Sequence, residues 1–365
     1  MTFGRLFFCL LFALFSCQNP GDQTFSYQPV RSDKSLRVTD LGESLEVLEV
    51  QTRYPISGTP TILRSERHLY LFETDMVTTL YQLDLRGKVL RSLEFEEDGR
   101  LPAGYITQVM LRGDQIGIIL SGDRVTWLSE TLEEVGEEFL PVKAKFHFQG
   151  EVGNIAFTNR IADGDWEILT YDSVVRSRAL PVDREAYGFY NLTYSQFSQW
   201  REGVLFSRAF NDTIYLWEGG EFRPLLHIDL GGRAFPREKL YGVTYPPDFA
   251  KVINSPEYSY LYGEVFGLDS QRIMIQLQDE SRRKLAMMDF SSRELTIYPG
   301  IVDNSVSGVD LGIPQFSKDG ILYFGLSGEQ IQENIDRLPE SFKHRLSDTY
   351  DESYFIFLLK VKESG

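Results

Sequence analysis

Cysteine is almost missing from this chain: Cys9 and Cys17 are the only two, and none follows residue 17. Disulfides therefore cannot staple whatever lies beyond that point, and its fold must rest on a packed core. Long apolar runs are missing as well. The run at 6–15 (LFFCLLFALF) is ten residues, about half of what a spanning helix needs, and nothing after residue 17 could cross a bilayer as a helix. Histidine is scarce. His68, His147, His227 and His344 share no metal-ligand spacing, so a zinc site has no ligand set and no metal is expected. Asp163-Gly164-Asp165 lacks the further carboxylates of a calcium loop and reads as a turn. Positive charge is in deficit, with 37 Lys and Arg against 53 Asp and Glu for a net charge of −16. That argues against nucleic acid as a partner, because such binding rests on neutralising phosphates. There is no G-x-S-x-G elbow and no phosphate-cradling glycine loop, which removes the α/β-hydrolase and nucleotide-binding readings. No cofactor is implied.

What is present begins with a leader. Residues 1–5 carry Arg5, the apolar run follows, and Leu14-Phe15-Ser16-Cys17 closes it. A charged start, a short apolar core and a small residue before the cut describe a secretory signal peptide. The Leu-x-Ser-Cys ending resembles the bacterial lipobox, which implies cleavage after residue 16 and acylation of Cys17. Thioether-linked lipid with an acylated amine would anchor the chain almost permanently, at about 0.8 kcal/mol per buried CH₂. Gln18 and Asn19 follow with no Asp directly after Cys17, which selects the outer membrane. Residues 18–35 are rich in Gln, Pro, Gly and Ser and read as a flexible tether. The division is a signal peptide at 1–16, a lipidated cysteine and tether at 17–35, and one domain at 36–365.

Aromatics make up 13% of the chain, with 26 Phe and 19 Tyr, a composition that favours strands. A unit of apolar strands and Gly or Asp turns recurs at 68–95, 115–140, 153–182, 203–230, 272–300 and 320–327 with 352–363. Such a period is the mark of a β-propeller, because one sheet cannot bury both its faces and neighbours in a ring can. The fold class is all-β, a six-bladed β-propeller. Two β-sandwiches side by side would be the alternative. The last unit lacks a fourth strand, and 45–51 (LEVLEVQ) is available to complete it and close the ring. Two insertions break the rhythm. Residues 231–271 predict a long loop with short helical turns, since Pro246, Pro247 and Pro256 forbid one long helix. Residues 328–346 predict helix, with Ile331, Ile335 and Leu338 on one face and Pro339 opening a second turn. Both are expected over one face of the ring.

In the fourth unit Asn211, Asp212, Thr213, Ile214 and Tyr215 are followed by Ile228, Asp229, Leu230, Gly231 and Pro236. This pattern resembles that of the six-bladed β-propeller lipoproteins common in Bacteroidetes. The family often carries a Gly-Arg-Gly-Pro-Gly-Glu turn after its first blade. This chain has only Gly99, Arg100, Pro102 and Gly104 there. The resemblance implies fold and placement, and no activity.

Two functions remain open. A monomeric domain could bind a protein or glycan through the face carrying the insertions. Tyr241, Tyr245, Phe249, Tyr258, Tyr260 and Tyr262 crowd 22 residues there, and tyrosine gives rigid contact area with a polar tip. The alternative is an extracytoplasmic enzyme of the glycan lyase, hydrolase or lactonase type with its site in the funnel, an analogy of fold alone.

Overall fold

The computed structural model describes residues 25–363, apart from 57, 75–76, 96–105, 151–152, 159–164, 183–196, 242 and 244–245. The N-terminal stretch supplies β1 (Phe25–Tyr27), β2 (Val30–Arg31), β3 (Leu36–Arg37) and β4 (Gly42–Val50). The first sheet is β5 (Thr61–Arg64), β6 (Leu69–Glu73), β7 (Thr79–Leu83) and β8 (Val89–Glu94). The second is β9 (Ile106–Arg112), β10 (Gln115–Leu120), β11 (Arg124–Leu128) and β12 (Glu134–Phe139). The third is β13 (Phe146–Gly150), β14 (Gly153–Phe157), β15 (Trp166–Tyr171) and β16 (Val175–Pro181). The fourth is β17 (Phe197–Trp200), β18 (Gly203–Phe206), β19 (Thr213–Glu218) and β20 (Glu221–Ile228). The fifth is β21 (Ser259–Gly267), β22 (Arg272–Asp279), β23 (Arg282–Asp289) and β24 (Glu294–Tyr298). A small sheet joins β25 (Ile301–Val302) and β26 (Asp310–Gly312) to β3. The last sheet orders β27 (Phe316–Lys318), β28 (Ile321–Ser327), β29 (Tyr354–Val361) and then β4.

The described strands thus form seven sheets, and the expected six is corrected. The additional one was passed over because its strands are two or three residues long, too short to show alternation. It fills the gap between the fifth and last sheets. Its Leu36, Ile301 and Leu311 join one apolar cluster with Met274 and Leu285 of the fifth and Phe324 and Phe357 of the last.

Second strands such as β6 (LYLFE) and β22 are almost wholly buried because neighbours cover both faces. Their sequences therefore read as continuous apolar runs. Six apolar clusters fill the gaps between neighbouring sheets around the ring. A fully buried Leu or Phe there is worth about 1.5–3 kcal/mol. Closure comes from the two ends of the domain. β4 pairs antiparallel with β29, from Tyr354↔Val50 to Val361↔Gly42, as its sequence predicts.

The tether reading needs correction where the chain is described. β1 adds in parallel to the outer edge of β20, β2 to that of β24, and β3 to β25. Residues 25–37 are a strap along the rim. Arg31 latches it to the buried carboxylate of Asp279 at 3.2 Å. Asp279 also takes Lys284 at 2.8 Å and the Ser259 hydroxyl. Burial pushes this carboxyl up, but hydrogen bonds from Arg31, Lys284 and Ser259 outweigh it and hold it well below the usual carboxylate range.

The first five sheets each run from inner strand to outer strand with antiparallel neighbours among their four strands, and the last does so through β27, β28 and β29. Turns after the first and third strands therefore leave one face, and turns after the second and fourth leave the other. The insertion at 231–258 follows a fourth strand and that at 328–353 follows a second, so both lie on the same face. The first holds a helix, Pro246–Ile253, but 259–267 is not loop, as expected, but strand β21. The second holds short helices at Gly328–Gln332 and Glu340–Lys343, with Ile331 and Leu338 buried.

Candidate functional site

Six inner strands, β5, β9, β13, β17, β21 and β27, surround a central cavity of about 450 Å³. The small sheet contributes nothing to its lining. An inner strand is a sheet edge, so one row of its backbone groups has no strand partner and needs other company. Neighbouring side chains supply part of it. The Gln108 amide grips the backbone of His147, donating from Nε2 to its carbonyl at 2.8 Å and accepting its N–H at 2.7 Å. The Ser198 hydroxyl accepts the Gly267 N–H at 3.2 Å and meets the Ser317 hydroxyl at 3.3 Å. Those two serines come from the fourth and last sheets, so the channel is drawn in across the end of β21.

The remaining lining mixes amides and rings with three carboxylates, Glu264, Asp269 and Asp319, of which Asp269 is paired with Arg272. Gln149 follows Phe148, Gln199 lies two residues after Phe197, and Gln315 precedes Phe316. Phe148 and Phe197 approach with centroids 6.2 Å apart, and Phe316 lies 5.4 Å from Tyr323. Gln315 exchanges hydrogen bonds with the Tyr354 hydroxyl. Burial raises the phenols of Tyr354 and Tyr323, so both stay neutral. Cations stand near one mouth. Arg64 donates to the Tyr323 hydroxyl at 2.7 Å, and Lys318 donates to the Arg64 carbonyl at 2.9 Å. Arg201 lies 3.9 Å over the Trp200 ring and caps the Ser270 carbonyl.

His147 is the one histidine in the lining, and it is committed elsewhere. Nε2 meets the Gly122 carbonyl at 2.8 Å and Nδ1 meets the Tyr171 hydroxyl at 3.0 Å. Burial pushes it down to about 4 and pushes Tyr171 up to about 12. Neutral, with both ring nitrogens engaged, it is a structural imidazole and not a proton carrier. His68 and His227 stand beside carboxylates, Glu130 at 3.9 Å and Asp212 at 3.3 Å. Among the described residues no group of three or more His, Cys, Asp or Glu could hold a metal. Asp163 and Gly164 lie outside the described residues.

The aromatic insertion does not form an open platform. Tyr260 is 2% exposed, with its ring 4.5 Å from Phe210 and its hydroxyl donating to the Ile253 carbonyl. Phe249 is buried against the same Phe210. Tyr258 packs edge-on to Phe235 under Lys239. Tyr262 accepts from Arg283, which also covers its ring. Tyr241 is 37% exposed. Tyr245 and Cys17 lie outside the described residues. The expectation is corrected for Phe249 and Tyr260, which no partner could touch: their rings bolt the insertion to the third and fourth sheets.

The cavity residues were missed. Their signal was small but present: an aromatic within two positions of glutamine, in Phe148-Gln149, Phe197-Ser198-Gln199 and Gln315-Phe316.

A crystal structure of a Bacteroides fragilis protein classed as exported is similar over 93% of this chain and 100% of its own, with a TM-score of 0.67 at 14% identity. The shared fold is the β-propeller. The WD40 domain of Neurospora crassa Pan2 is more distant, with a TM-score of 0.40 at 9% identity over 87% of this chain and 96% of its own. BamB from Moraxella catarrhalis gives 0.34 at 8% identity, over 81% of this propeller and 68% of its own chain. No family model and no curated protein matches this propeller.

Proposed function

We propose that this chain is a lipid-anchored β-propeller of the cell envelope that binds an uncharged glycan in its central cavity. The observation that carries this is the lining: Gln149, Gln199 and Ser317 beside the rings of Phe148, Phe197 and Phe316, in a space of about 450 Å³. Amides and hydroxyls match sugar hydroxyls in both hydrogen-bonding roles, and aromatic faces match the apolar face of a pyranose. The leader and Cys17 support placement at the outer membrane, and the exported class of the Bacteroides fragilis structure supports an extracytoplasmic location only. The one imidazole of the lining is neutral and fully engaged and takes no part in proton transfer.

The test is titration calorimetry of the full chain against neutral oligosaccharides selected on a glycan array. Phe316→Ala and Gln149→Ala should each weaken binding about tenfold, the worth of roughly 1.4 kcal/mol, while Lys251→Ala on the insertion helix should leave it unchanged. Binding insensitive to both cavity substitutions refutes the site. Cleavage of the bound glycan refutes the binding role in favour of catalysis.

A further inference from the structure

The strap carries two exposed apolar side chains, Phe25 at 49% and Val30 at 67% exposure, on the outer edges of the fourth and fifth sheets. Phe25 and Tyr27 share one face of β1, with ring centroids 6.4 Å apart; Tyr27 packs on the core between those two sheets, and Leu36 is buried. Tyr27 and Leu36 thus tie the strap to the propeller, while Phe25 and Val30 remain largely exposed at its rim.

Chain length says what is near. Cys17 precedes Phe25 by eight residues, and eight residues reach at most about 26–29 Å when fully extended. A compact domain of this size is roughly 50 Å across. The rim bearing Phe25 is therefore held within about half a domain width of an anchor at Cys17. Val135 and Phe139 are as exposed, at 53% and 72%, but they lie on β12 of the second sheet, across the ring from the fifth.

We propose that the rim of the fourth and fifth sheets rests on the membrane surface, with Phe25 and Val30 in the headgroup layer. This holds the ring on edge, so that neither of its faces lies against the bilayer. The inference rests on lipidation of Cys17. Aromatic and aliphatic side chains at the boundary between headgroups and acyl chains add to the hold of a lipid anchor, which by itself fixes distance and not orientation. Lying flat on either face would instead leave the two apolar side chains in water.

The test uses the full chain, processed in cells and reconstituted into vesicles of phosphatidylethanolamine and phosphatidylglycerol with a spin-labelled lipid. With Cys17 acylated, an introduced thiol is the one site for a fluorophore. Four variants sample four places: Val30→Cys on the strap, Phe139→Cys on the far rim, Lys251→Cys on the insertion face and Glu202→Cys on the opposite face. Quenching should be strongest at Val30, several-fold weaker and similar at Lys251 and Glu202, and near background at Phe139. Quenching at Lys251 or Glu202 equal to that at Val30 means a ring lying flat and overturns the proposal. So does background quenching at Val30. A Phe25→Asp, Lys34→Cys double variant should still float with vesicles but lose at least half of the quenching shown by Lys34→Cys alone; unchanged quenching also overturns it. Vesicle flotation of Cys17→Ser separates the two readings. Flotation lost in that variant, with Val30 unquenched in the acylated chain, sinks the rim contact and leaves the anchor standing. Flotation that survives the substitution removes the anchor and the proposal with it.

Discussion

The outer strands of the first three sheets and those of the fourth, fifth and small sheets face one hazard and meet it differently. A bare outer strand presents unpaired backbone groups that can template association with another chain. Among the described residues no strand covers β8, β12 or β16, and these carry charge instead: Arg91 and Glu94, Glu134 and Glu137, Arg176 and Arg178. β20, β24 and β25 are covered by the strap, whose Arg31 is held by a carboxylate that is itself fully buried. One half of the rim is protected by repulsion and solvation. The other is protected by the chain's own N-terminal residues, held by strand pairing, by Tyr27 and Leu36, and by one ionic cluster.

The largest test of that contrast is Asp279→Leu. It leaves Lys284 and Arg31 without their shared partner, and losing one member of a buried charge cluster costs about 3–5 kcal/mol. The urea midpoint should fall accordingly, and hydrogen exchange should show the strap open first.

Acid should separate the halves next. His147 titrates near 4 when folded and near 6.5 when unfolded. Between those values the unfolded chain binds the extra proton, so stability falls as pH falls from about 6.5 to about 4, by at most about 3 kcal/mol, and is flat above. Asp279, whose folded value is depressed, contributes its full stability above its unfolded value of about 4 and loses it only below that pH. Protection around the second and third sheets should therefore decline before that of the strap as acid is added. Equal decline in both halves would show that His147 does not govern the acid response.

Arg31→Ala is a smaller perturbation. Its side chain is 40% exposed, and Asp279 keeps Lys284, so about 1 kcal/mol is expected in the urea midpoint, with faster exchange confined to 25–37. Smallest in stability is a matched pair, Glu137→Val on bare β12 and Thr296→Val on covered β24. Both should change stability by less than about 0.5 kcal/mol. Light scattering should rise with concentration for Glu137→Val, which joins Val135 and Phe139 on one face of an open edge, and not for Thr296→Val. Scattering that rises equally for both would erase the distinction between the two edges.

The sequence was most readable where strands are buried on both faces. The apolar runs at 69–73, 116–120 and 273–277 stand out because two neighbours cover each of them. The inner strands were not seen. In β17 (FSQW) and β27 (FSK), one edge faces the channel and the residues are half polar, so neither period-2 alternation nor an apolar run survives in three or four positions. Since the candidate site is built from inner strands, the fold was legible and the site was not. The strap was hidden for a related reason: Gln28, Pro29 and Ser32 have the composition of a linker, and parallel edge pairing two or three residues at a time leaves no pattern. The aromatic insertion misled in the opposite direction. Tyrosine and phenylalanine density marks contact area, but only the structure says whether that contact is with a partner or with the propeller.

The antiparallel join between 42–50 and 354–361 also has a consequence in time. Glu49 accepts from the Ser353 hydroxyl across 304 positions of chain. The last sheet cannot be completed until nearly the whole polypeptide has emerged, because its outermost strand is among the first segments made and the strand beside it is the final one. Pairing so distant in sequence is slow. A nascent molecule therefore stays unlocked until β29 is available to meet β4, and only then becomes a closed ring.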